Sequence, residues 1–151
     1  MMQRNTELLV STRRTIVHYH RIVKEIGSHY GLIQIEADII GFLENNPGKD
    51  TASDIVDLRG FSKGNVSNGV EHLVQKGFVV RVNDEIDHRI IHLKLTEQAA
   101  PLIKQIKEAT RHYYEELFDG FSEDEIRLYT KMTDRILKNS ERIEERGDGL
   151  E

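Results

Sequence analysis

The sequence predicts a mainly α-helical chain carrying one small antiparallel β-hairpin, with a long helix at each end. Three observations carry that expectation. Apolar residues recur at three- and four-residue steps over most of the 151 residues, which is the spacing of helices with one buried face. The spacing turns to extended alternation once, just after Lys76-Gly77. The helical stretches are separated by capping residues, glycines and a proline rather than by long polar loops.

The first helix is read over residues 8–26, where Leu8, Leu9, Ile16, Tyr19, Ile22, Val23 and Ile26 make one stripe, and Gly27 and Gly31 bracket its end. A second runs from about 32 to 44 on Ile35, Ile39, Ile40 and Leu43, closed by Asn45-Asn46-Pro47-Gly48. Thr51 caps a short third helix, with Asp54 as its capping-box partner and an end near Gly60. Phe61 and Ser62 restart a helix that ends at Lys76-Gly77, a cation followed by glycine. Residues 78–82 and 90–95 read as two strands around a polar turn over 83–89. Two strands alone are marginal, so the ribbon must pack on the helices. Thr96-Glu97 is read as the cap of a helix to about residue 118, with Pro101 near its first turn. Asp119-Gly120 breaks the chain, and Ser122-Glu123-Asp124-Glu125 launches a last helix through Ile126, Tyr129, Met132, Ile136 and Ile143.

Helix, short helix, glycine-containing turn, helix and hairpin is the order of a winged helix-turn-helix, whose second helix enters the major groove of duplex DNA. Over residues 62–76, Val66, Val70, Leu73 and Val74 point one way at 100° per residue and would anchor that helix. Gly64, Asn65, Asn68, Glu71, His72 and Gln75 point the other way, with Lys63 and Ser67 near the N-terminal edge. Asn reads adenine through paired contacts, and Gly64 lets the backbone approach the duplex. On helix geometry alone, the same face suits an ordinary polar surface helix equally well.

Composition bounds the function. The net charge of -5 argues against non-specific attraction to nucleic acid unless charge is unevenly placed, and it is. Residues 1–30 carry five cations against two acids and 59–96 six against four, whereas 31–58 carry one against six and 115–151 six against twelve. The absence of cysteine excludes disulfides, thiolate metal sites and cysteine nucleophiles. No run of 18 apolar residues and no secretory h-region is present, so a cytoplasmic protein without membrane association is expected. Nucleophile-elbow, P-loop, dinucleotide and H-E-x-x-H motifs are missing, so no enzyme and no cofactor are expected. His18 and His20 lie about 200° apart on a helix and cannot share one ion unaided. His88 and His92 only bracket the wing, and no metal site is expected.

The run Asp87-His88-Arg89-Ile90-Ile91-His92-Leu93-Lys94-Leu95-Thr96-Glu97 resembles the wing of the MarR (multiple antibiotic resistance regulator) family, D-x-R-x-x-x-L-x-L-T-E. Ser62-Lys63-Gly64-Asn65-Val66-Ser67-Asn68 and Leu73-Val74-Gln75-Lys76-Gly77-Phe78-Val79 are similar to that family's recognition helix and its run into the wing. The resemblance in element order covers about residues 6–146. It implies a homodimer held by the first and last helices, a wing arginine in the minor groove, and often a small effector between dimerisation and DNA-binding parts. Matched residue by residue, Arg89 is that arginine and Asp87 its positioning partner, a role that suits a guanidinium in a narrow, negative groove. Asn68-Gly69 departs from the larger or basic residues common there, and Ala99 replaces the usual glycine after L-T-E, which bears on operator sequence rather than fold.

Together these readings expect a sequence-specific DNA-binding transcriptional regulator, a repressor released by a small-molecule effector, on a pseudo-palindromic double-stranded operator. The alternative is a winged-helix protein-interaction module without DNA binding, motivated by the acidic total and an arginine-poor recognition helix. The expected DNA-contacting residues are Thr51, Ser62, Lys63, Asn65, Ser67, Asn68, His72, Asp87 and Arg89. Residues 1–31 and 97–151 are expected to form the helical dimerisation region and 32–96 the winged helix-turn-helix, within one continuous domain.

Overall fold

The computed structural model describes residues 2–147, and the side chains of 6–143 and 145–147. Residue 1 and residues 148–151 of the expected outer helical region lie outside the described residues. The order is α1 (Met2–His29), α2 (Gln34–Asn45), α3 (Ala52–Arg59), α4 (Lys63–Gln75), β1 (Val79–Asn83), β2 (Ile91–Leu95), a 3-10 turn (Glu97–Ala99), α5 (Ala100–Leu117) and α6 (Glu123–Glu145). The mainly helical chain with one hairpin is the fold that the sequence predicts. It divides into two compact units, one up to Arg111 and one from His112, the division falling within α5.

In the first unit α2 is the hub. Residues 36–43 of this helix are all buried, as expected of a helix wrapped on every side. Around Ile39, Ile40 and Phe42 gather Val23 of α1, Ile55 of α3, Val66, Val70 and Leu73 of α4, Leu93 of β2, and Leu102 and Ile106 of α5. Gly27 does not end the first helix, as its position had suggested; α1 continues through it to His29, and Gly31, at φ +68°, makes the turn. A Cβ on Gly27 would lie 2.7 Å from the Cβ of Ala37, so this glycine lets α1 and α2 cross with their backbones close.

The end of α4 shows why the first strand starts at Val79 and not at Phe78. Gly77 adopts φ +81°, its N–H donates to the Val74 carbonyl (3.1 Å), and the Phe78 N–H donates to the Leu73 carbonyl (2.9 Å). This paired closure of a helix end uses Phe78 before the ladder begins. β1 and β2 then pair antiparallel from Val79↔Leu95 to Asn83↔Ile91. Thr96 takes the N-cap position of the 3-10 turn but its side chain does not cap it: its hydroxyl donates to the Gly77 carbonyl (2.6 Å), tying the end of the hairpin to the end of α4. The 3-10 turn intervenes, and α5 starts only at Ala100, with Pro101 inside its first turn.

In the second unit Gly120 turns the chain at φ +82°. Ser122 and Glu125 form the predicted capping box, with the Ser122 N–H donating to Glu125 Oε2 (2.8 Å) and the Glu125 N–H to Ser122 Oγ (3.3 Å). Phe118 stacks edge-on against Phe121 and Tyr129, with ring centroids 5.6 and 5.0 Å away. Leu128, Met132, Ile136, Leu137 and Ile143 of α6 remain exposed.

Candidate nucleic-acid interface

The helix pair is set by its caps. Thr51 Oγ1 accepts from the Asp54 N–H (3.1 Å) and donates to Asp54 Oδ2 (2.7 Å), while the Thr51 N–H donates to the same carboxylate (3.0 Å). Gly60 ends α3 at φ +66°, and Ser62 Oγ accepts from the Asn65 N–H (3.2 Å) to start α4. Both hydroxyls thus shape the motif, whatever else they touch.

On α4, Val66, Gly69, Val70 and Leu73 are buried and Lys63, Asn65, Ser67, Asn68 and His72 are exposed on the other side. Gly69, read from sequence as a departure bearing on the operator, instead belongs to the core face: a Cβ there would lie 2.7 Å from Ile39 Cδ1. Its lack of a side chain lets α4 sit close on α2.

In the wing, the Arg89 guanidinium meets Asp87 through two bonds, Nε to Oδ1 and Nη2 to Oδ2, each 3.0 Å, and the Arg89 N–H adds a third at 3.1 Å. The Arg89 side chain is nonetheless 90% exposed. The fork is held at its base while its outer edge faces solvent.

The MarR family model matches residues 30–90, which is α2, α3, α4, β1 and the turn up to and just past Arg89. The chain is thus similar to the MarR family over these residues. It is also similar to a MarR transcriptional regulator from Methanosarcina mazei Go1, at 20% identity and TM-score 0.72, covering 91% of this chain and 99% of that one. A MarR family protein from Bacillus stearothermophilus aligns at 17% identity and TM-score 0.69, covering 93% and 97%. A further solved transcriptional regulator aligns at 25% identity and TM-score 0.73, covering 91% and 98%.

Around this frame lies a set of ion pairs that the sequence alone did not reveal. Glu36, only 1% exposed, accepts from Lys76 Nζ (2.6 Å) and from the Ile33 N–H (3.1 Å), and lies 3.1 Å from Nδ1 of His72. Burial pushes the Glu36 carboxyl up, but the Lys76 and Ile33 hydrogen bonds outweigh it and leave its pKa below the ordinary value. His72, expected at DNA, thereby has one ring nitrogen facing a core carboxylate. Asp38, 3% exposed, meets His20 of α1 (2.9 Å) and approaches Arg59 at the end of α3 (4.0 Å). Glu71 on the outer face of α4 pairs with Arg81 of β1 (2.9 Å), tying helix to wing.

The acidic turn is likewise not an open repulsive patch. Asp84 Oδ1 accepts from the Ile86 and Asp87 N–H groups, both at 2.8 Å, and Oδ2 lies 3.1 Å from His92 Nε2. The Asp87 N–H bond, then His92 and the Ile86 N–H, hold the Asp84 pKa down at about 2. Asp87 is lowered by the Arg89 bonds, and Arg89 is raised in turn. An open cleft of about 360 Å³ lies between α3, α4 and the hairpin, with Val56, Val66 and Ile91 as apolar lining and Lys63, Ser67 and Arg81 as polar lining. Among the described residues, no group of three or more His, Asp or Glu is placed to hold a metal ion.

Proposed function

We propose that this chain binds duplex DNA sequence-specifically as a homodimer and so regulates transcription. The observation that carries the reading is Arg89, oriented by a bidentate Asp87 yet 90% exposed, on a wing tied to an α4 whose outer face carries Lys63, Asn65, Ser67 and Asn68. A positioned, exposed guanidinium suits a narrow minor groove, and the neighbouring Asn side chains suit base edges in the major groove. The match of residues 30–90 to the MarR family model supports the same assignment.

The dimer is supported by apolar side chains that α1 and α6 expose, among them Leu8, Leu9, Ile16, Leu128, Met132 and Ile136. Residues 1–31 and 97–151 would form the dimerisation region, around a 32–96 winged helix-turn-helix. Two copies related by a two-fold axis place two α4 helices in successive major grooves, so the operator is pseudo-palindromic. Repression relieved by a small-molecule effector is the form of regulation that the family resemblance implies.

The test is selection of duplexes from a random-sequence pool, followed by anisotropy measurement of parent and Arg89→Ala on the selected duplex, with solution mass in parallel. A dimer that enriches a palindromic duplex and loses affinity on Arg89→Ala is the expected result. No enrichment at low salt would turn the reading toward a protein-interaction module, which the net charge of -5 favours.

A further inference from the structure

His92 sits between two carboxylates that come from different parts of the fold. Its Nδ1 lies 2.6 Å from Oδ1 of Asp50, in the loop before α3, and its Nε2 lies 3.1 Å from Oδ2 of Asp84, at the start of the wing turn. The same loop joins β2 by backbone, through the Leu93 N–H to the Asp50 carbonyl (2.7 Å) and a bridge between Thr51 and His92. Asp84 in turn orders the amides of Ile86 and Asp87, and Asp87 holds Arg89. A continuous chain of polar bonds therefore runs from the helix-turn-helix through His92 to the guanidinium of the wing.

We propose that His92 is a positioning residue for DNA binding, which as an imidazolium fastens the wing turn to the loop before α3 and makes duplex affinity depend on pH. The consequence for DNA rests on the DNA-binding reading above; the fastening itself does not.

The protonation state follows from donor and acceptor bookkeeping. An ionised carboxylate only accepts hydrogen bonds, and a neutral imidazole has one donor and one acceptor. With a carboxylate oxygen on each ring nitrogen, both nitrogens must carry protons. Both partners are ionised at neutral pH. Asp84 stays so down to about pH 2. Asp50 is raised by burial but lowered further by Lys94 and His92 hydrogen bonds. The His92 pKa is accordingly raised, first by Asp50 and then by Asp84.

The surrounding charges leave this arrangement intact. Lys94 of β2 neutralises the other oxygen of Asp50, and Asp54 of α3 is engaged in the Thr51 cap. On β1, the cross-strand neighbour of His92 is Val82, and nearby Arg81 is paired with Glu71. On α2, Glu36, Asp38 and Glu44 each face their own partners, Lys76, His20 and Lys107. The side chain is 28% exposed, so it exchanges protons with solvent.

A histidine raised above its unfolded value of about 6.5 contributes fully below that pH, and its contribution is lost as pH rises through the folded value. Loss of the Nε2 proton sets a lone pair against Asp84 and frees the turn. Duplex affinity should therefore fall on the alkaline side.

The experiment compares parent, His92→Lys and His92→Gln at constant salt from about pH 5.5 to 8.5, across the range in which histidine titrates. One readout is ring-nitrogen NMR of His92 in the free parent protein. The other is affinity for the duplex enriched from the random pool or, failing enrichment, for a mixed-sequence duplex at low salt. Both ring nitrogens of the parent should be protonated at neutral pH, and its affinity should drop by about fivefold or more toward alkaline pH. His92→Lys, a cation throughout, should hold its affinity flat, and His92→Gln should be weak at every pH with an unchanged circular dichroism spectrum. A neutral single tautomer at pH 6, or superimposable pH profiles for parent and His92→Lys, would overturn the proposal. If no duplex is bound by any variant, the DNA-binding reading fails while the ring nitrogens still decide the fastening.

Discussion

The two elements proposed to face DNA are held in place by different physics. Helix α4 is held mainly by apolar contact: Val66, Val70 and Leu73 are at most 4% exposed, and Gly69 brings the helix backbone close to Ile39. Val79 and Leu93, at most 3% exposed, anchor the base of the hairpin in the core, but the outer part of the wing is held largely by charge, since Val80, Val82, Ile90 and Ile91 are all exposed while Asp50, Asp84, Asp87, Arg89, His92 and Lys94 form its polar bonds. Apolar contact neither titrates nor is screened by salt, and ion pairs near the surface do both. The lesson is that reader and wing should fail under different conditions, even though they are expected to act on one duplex.

The sharpest separation comes from Leu73→Ala. It removes a fully buried side chain of α4 and should cost about 2–5 kcal/mol in urea unfolding, with binding lost only because the fold is lost. Arg89→Ala should do the converse. Duplex affinity falls about tenfold or more while the melting temperature hardly moves, and Arg89→Lys recovers only part because it cannot bond Asp87 in the same bidentate way. An Arg89→Ala protein that binds its selected duplex like the parent would remove the wing from the DNA reading.

Within α4 the contrast can be drawn more finely. Asn65→Ala and Asn68→Ala should each reduce affinity for the selected duplex by about 1–3 kcal/mol if they contact base edges, and change affinity for mixed-sequence DNA little. Equal losses on both would make them phosphate contacts. The smallest effect is in acid. Because the folded pKa of Asp84 is about 2 and its ordinary value 3.8, its hold on the turn is complete above about 3.8 and fades as pH falls toward 2. NMR shifts of the Ile86 and Asp87 amides should thus stay native-like well below pH 4, and a change centred near 4 would contradict the assigned bonds.

The elements of this fold were legible because their signals are local. Thr51 and Asp54, or Ser122 and Glu125, meet three residues apart, and Asp87 and Arg89 two apart, so their pairing is settled by one turn of chain. Where local signals competed, the reading slipped by a residue or a role. Thr96 looks like a cap before Glu97, but its hydroxyl is taken by Gly77, and Phe78 looks like the first strand residue but closes α4. Gly27 and Gly69 look like interruptions, and both are close-approach points. For the candidate site, the outer face of α4 and the Arg89–Asp87 pair could be anticipated, whereas the polar framework behind them could not.

What the sequence by itself determined is therefore the run of helices and hairpin, the direction in which α4 presents its polar face, and the arginine at the wing. Periodicity, caps and turns fix those within a few residues of chain. Only the tertiary structure decided that Glu36 would meet His72 and Lys76, 36 and 40 residues away, and that His92 would meet Asp50, 42 residues away. Such pairs carry no periodic signature, because each depends on how closely α1, α2 and α4 cross and on where the hairpin lands against the loop before α3. That closeness is set at Gly27 and Gly69 by the absence of a side chain, a property that reads the same in sequence whether a glycine ends a helix or lets two helices touch.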